Sequence, residues 1–117
     1  MPDESILDSV KRYLGIVPEY THFDADLIMH INTAFSILAQ LGVGPKSGFS
    51  ISDNTAVWTD FVPDDPRFSM IKNYVSMETK MLFDPPQTGP TNEALNRELT
   101  KLEWRLNVLF DPKVEET

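Results

Sequence analysis

The chain has 117 residues, no cysteine and a formal net charge of −8. That is one domain's length, enough for a real core without staples, and the missing cysteines exclude disulfides, thiolate metal sites and a cysteine nucleophile while fitting a reducing compartment. Acids outnumber Lys and Arg 18 to 10 with no basic run, which argues against tight nucleic-acid binding and against anionic membrane surfaces, since both need clustered cations. No apolar run reaches the ~18 residues of a membrane span, and the N-terminus lacks a signal pattern. The expectation is a soluble protein made in a cytoplasm, with its acidity serving solubility.

Asp3 to Leu14 reads as a first helix of about three turns. Asp3 suits the N-cap, Ile6, Leu7, Val10, Tyr13 and Leu14 form one apolar face, and Lys11 and Arg12 fall in the last turn before Gly15. A connector with Pro18 runs from Ile16 to Phe23. Asp24 to Leu41 then carries the clearest period in the chain. Leu27, Ile31, Ala34, Phe35, Leu38 and Leu41 recur at three- and four-residue steps, and Ile28 and Ile37 widen the stripe. Asp24 and Asp26 mark its start, and Gly42 suits a left-handed cap. The core is expected here.

From Gly42 to about Pro63 glycine and proline break the period. Phe49, Ile51 and Val57 hint at short extended pieces, so either a small hairpin or one helical turn near Ala56 to Phe61 fits. Long connections are often functional or mobile. Trp58 lies in this one, and either packs back on the core or meets a partner; large aromatics are buried on average, which favours the core. Asp65 and Pro66 suit the cap and first position of the next helix, running to about Phe83. Ile71, Tyr74, Val75 and Leu82 make one stripe, with Met70, Met77 and Met81 beside it. So broad a girth suggests a central helix, or one shared with another subunit. Asp84-Pro85-Pro86 ends it. After a linker to Pro90, Thr91 or Asn92 caps the last helix. Leu95, Leu99, Leu102, Leu106 and Leu109 form a short heptad seam, with Trp104 off it, and residues 111–117 read as a frayed tail. The expected fold is all-α: about four helices with a long irregular loop or small hairpin between the second and third.

Catalytic chemistry is hard to find in this text. His22, Asp26 and His30 stand at four-residue spacing, but His22 falls outside the helix of the other two, and solvent-exposed or capping roles explain them better than a metal. The GVGPKSG stretch lacks the ending of a phosphate loop and follows no strand. No serine has the flanks of a nucleophile elbow. Pairs such as Glu98 with Lys101, and Lys101 with Arg105, look like a solvated face. No cofactor and no enzyme activity are expected. The reading is a protein that touches other proteins, with Phe49, Ile51, Trp58, Phe61, Met70, Met77, Met81 and Trp104 as the candidate contact residues.

FDADLIMHINTAFSILAQLGVGP, GFSISDNTAVWTDF, MLFDPPQ and LEWRLN together resemble the small helical head–tail connector (head-completion, or adaptor) proteins of tailed bacteriophages, often met in phages of Gram-positive bacteria. The resemblance runs from about Ile6 to Asn107 and rests on packing residues. It implies a helical bundle with a protruding loop and a ring of about twelve subunits bound beneath the portal protein. That ring would extend the DNA channel, let DNA pass without binding it specifically, and receive a stopper or tail component. It would sit at the virion head–tail junction after synthesis in the host bacterial cytoplasm. The alternative is a small helical regulator or scaffold that binds a single partner helix along the Leu95 to Leu109 seam.

Overall fold

Each apolar stripe becomes a helix, and the stripes meet in one core. The computed structural model describes residues 4–45, 48–62 and 69–110. They form α1 (Ile6–Tyr13), α2 (Asp24–Gln40), α3 (Trp58–Phe61), α4 (Ser69–Phe83) and α5 (Gly89–Phe110). No strand occurs among the described residues; one isolated antiparallel bridge pairs Ser5 with Val57. The architecture is the all-α bundle expected, and the long connection carries a single helical turn, α3, rather than a hairpin.

α4 is the central helix. It packs most extensively on α2, and also touches α1 and α5. Ile71, Tyr74 and Val75 are buried, while Met70, Met77 and Met81 pack half-buried around the core. From α2 come Leu27, Ile31, Ala34, Phe35 and Leu38, all essentially inaccessible. Leu41 is the C-cap residue, and Gly42 follows at φ +88°, the left-handed region that a side chain would disfavour. Two stripe residues depart from expectation: Tyr13 and Leu82 are exposed. Both sit in the last turn of their helix. The period says which face a residue is on, not whether another element reaches that turn.

The helix starts also moved. Ser5 caps α1, its Oγ accepting from the Asp8 amide at 3.2 Å. Asp3, Asp65 and Pro66, which the sequence offered as start signals, and the tail 111–117 lie outside the described residues. α5 starts at Gly89, two residues before Thr91, because its first amides need no intrahelical acceptor and so tolerate Pro90. The Asn92 amide already donates to the Thr88 carbonyl at 3.0 Å. The leucine seam docks on the bundle, with Leu99 and Leu106 buried and Leu95 and Leu102 packed beside them.

Lys11 falls in the last turn of α1, as the sequence places it, but it is only 1% exposed. The connector folds over it, and Nζ donates to Asp24 Oδ1 at 2.7 Å and to the Pro18 carbonyl at 2.8 Å.

Thr79 is wholly buried in α4, and its Oγ1 has no hydrogen-bond partner among the described residues. An unsatisfied buried hydroxyl costs about 1–3 kcal/mol, while the isosteric methyl costs nothing comparable. Thr79→Val is therefore expected to raise stability by about 1 kcal/mol. A lower urea midpoint for the variant would mean that the hydroxyl has a partner.

Candidate protein interface

The long connection is anchored to the bundle at three places. Asn32 of α2 acts as a backbone surrogate: its Nδ2 donates to the Ile51 carbonyl at 2.9 Å and its Oδ1 accepts from the Ile51 amide at 2.8 Å. Beside the Ser5 bridge, the Ile6 amide donates to the Ala56 carbonyl at 3.0 Å. Trp58 closes the set, with its Nε1 donating to Ser9 Oγ at 3.0 Å across the fold. Aromatic packing reinforces these anchors. Phe35, Phe49 and Phe61 meet pairwise with centroids 4.6–5.0 Å apart. Gly44 is held at φ +89°, and a Cβ there would run into the Phe61 ring. The chain can make this turn against Phe61 only with glycine.

The eight candidate contact residues therefore separate. Trp58, Ile51 and Phe61 are buried in the core and present almost no surface in this conformation. Phe49, Met70, Met77 and Met81 are half-buried against that core. Trp104 stands apart at 68% exposure on the outer side of α5. The sequence reading missed Asn32, whose polar side chain on a half-apolar helix face was the available signal. It read Lys101 and Arg105 as an ordinary solvated face and passed over Arg97, which precedes them at the same four-residue step.

Both histidines are spent on aromatic packing. The His22 ring lies 4.8 Å from Phe23 and 6.0 Å from Tyr20, and His30 lies 6.4 Å from Phe83. No group of three His, Cys, Asp or Glu side chains able to hold a metal ion occurs among the described residues. A hollow of about 380 Å³ lies between α2 and the connection, lined by Phe35, Ser36, Ala39, Gly48, Phe49 and Ser50. None of these side chains titrates, so the hollow offers no acid, base or charged ligand group. No described helix is long and apolar enough to cross a membrane.

Two titratable groups perturbed by burial lie between α4 and α5. Tyr74 is fully buried and donates to Glu103 Oε2 at 2.8 Å. Burial first, then that hydrogen bond and the charges of Glu78 and Glu103, push its ionisation far above the usual tyrosine range. Burial and the Glu103 charge likewise raise the Glu78 carboxyl. A carboxyl raised on folding binds its proton more tightly in the native state. Its stabilisation is full below the ordinary glutamate range and is lost as pH rises through the raised value. Glu78→Gln is thus expected to flatten the fall in stability as pH rises above the ordinary glutamate range of about 4.3. Urea midpoints across that rise would check it; two parallel profiles would show that Glu78 is not the source.

The described residues form an all-α bundle whose helices carry apolar and charged surface. The chain belongs to the phage connector protein family, whose model matches residues 6–113. It is a structural head–tail connector of a bacteriophage, as the sequence resemblance implied. A search of curated proteins and a search of solved structures each found no match.

Proposed function

We propose that the protein is a ring-forming adaptor of the virion head–tail junction. About twelve copies would sit beneath the portal protein, extend the DNA channel and receive the stopper or next tail component. The observation that carries this reading is the family match across nearly the whole chain. The acid surplus supports it: a net-negative ring repels phosphates and lets DNA slide. The rival reading, a scaffold for one partner helix, needs the Leu95 to Leu109 seam free. That seam already packs on the protein's own core.

Light scattering behind a sizing column, over a range of concentrations, with and without the portal protein, tests the proposal. A large discrete ring, alone or on the portal, is the expected result. A monomer that ignores the portal would overturn it.

A further inference from the structure

The outer side of α5 is an anomaly on an acidic protein. At 100° per residue, Arg97, Lys101, Trp104 and Val108 fall within about 60° of one another, opposite Leu99 and Leu106, with Arg105 at the edge. All five are exposed. Arg97 and Arg105 enter no ion pair among the described residues, and Lys101 has only Glu98, at 3.8 Å with both side chains over half exposed. Such a pair contributes little. The result is a basic stripe around an uncovered tryptophan.

A second uncovered apolar region lies on the connector and the start of α2. Val17, Tyr20 and Met29 are 63%, 49% and 58% exposed. Tyr20 edges onto Phe23, and Phe23 onto Phe83 at the end of α4, while Asp26 and Met29 follow Phe23 at three-residue steps along α2. Its exposed charges, Glu19 and Asp26, are acidic and enter no ion pair among the described residues. Trp104 lies 15 residues past Gly89, the first residue of α5. At 1.5 Å per residue that is about 22 Å along the helix from the turn after Phe83. The two faces are separate.

We infer that these faces are the two halves of the subunit–subunit contact: the basic Trp104 stripe of one copy docks on the acidic Tyr20–Met29 face of the next. The inference rests on the ring reading above and names the surfaces that reading leaves open. Charge selects the geometry. A two-fold dimer centred on either face would set that face against itself, placing cations on cations or acids on acids. The unlike pairing is the attractive one, and between two separate faces it runs head to tail, so it propagates from copy to copy and gives a ring where the rotation between copies closes.

Charge reversal tests this. One variant carries Arg97→Glu and Lys101→Glu; a second carries Glu19→Lys and Asp26→Lys. Assembly is read by light scattering, alone and on the portal, with thermal unfolding as the check on folding. Each variant alone is expected to assemble at least about tenfold more weakly than the unaltered protein, because like charges then face each other. An equimolar mixture of the two should assemble again, since both contacts become attractive in alternation. Trp104→Ala should weaken assembly with its thermal midpoint unchanged. If the variants assemble like the unaltered protein, or the mixture stays apart, the inference falls and the ring reading stands. If the unaltered protein is monomeric with and without portal, both fall. If reversing the α5 charges spares assembly and only weakens retention of duplex DNA, the stripe serves nucleic acid and the inference is overturned.

Discussion

Trp58→Ala is expected to destabilise the fold by about 3–5 kcal/mol, the range for truncating a buried large aromatic. Trp58 is 2% exposed, and it holds the long connection against α1 through its bond to Ser9. Ser9 Oγ in turn donates to the Ile6 carbonyl at 3.0 Å, so the indole is tied to the first turn of α1. Lys72 Nζ lies over the ring, 5.9 Å from its centroid. Domains of this size are stable by about 5–15 kcal/mol, so the loss is a large share of the whole. The thermal midpoint should fall by more than about 10 °C. Trp58→Phe should fall between the two, because it keeps most of the apolar area and loses only the Nε1 bond. A thermal midpoint that hardly moves, together with lost ring assembly, would reassign Trp58 to an interface.

Removing Asp24 should be more damaging than removing the lysine that it pairs with. Lys11 is 1% exposed, whereas the Asp24 side chain retains 26%. Asp24→Ala leaves an ammonium enclosed with, among the described residues, only the Pro18 carbonyl as partner. Breaking a buried pair from the side that strands a charge costs about 3–5 kcal/mol, and the partial exposure here places the expected loss near about 3. Lys11→Met removes the buried charge but keeps the volume of its methylene stem. Asp24 can then turn to water through the surface it already shows, so the expected loss is about 1 kcal/mol. Denaturant unfolding of the two variants at one pH decides it. Equal losses would mean that the pair is effectively solvated and that the asymmetry in burial has no energetic weight.

The same pair marks the limit of what the sequence discloses. In text, Lys11 belongs beside Arg12 in the last turn of a short helix, a place where cations favour the dipole. Arg12 is exposed as that rule suggests, but Lys11 is not. What separates them is the path of residues 16–23 over α1, which no local rule contains. Trp58 is the complementary case. Its burial was the favoured reading from residue type, but Ser9 as its partner, 49 positions away, is a tertiary fact. Ile51 and Phe61 look like loop residues in a Gly- and Pro-rich stretch. They are core because Asn32 and the Phe35–Phe49–Phe61 cluster hold that stretch down.

The sequence by itself determined the all-α class, the stripes of α2, α4 and α5, the stop at Pro85, the left-handed turn at Gly42 and the resemblance to head–tail connectors. Each is encoded in a window of a few residues or in a pattern of packing positions, where period, capping and backbone sterics act locally. Only the tertiary structure decided which helices α4 packs on, that Lys11 is enclosed and that the connection is pinned to α2. It also left Trp104 uncovered while Trp58 is covered. Burial depends on which distant surfaces meet, and a period along one helix cannot say which of its faces a neighbour will reach.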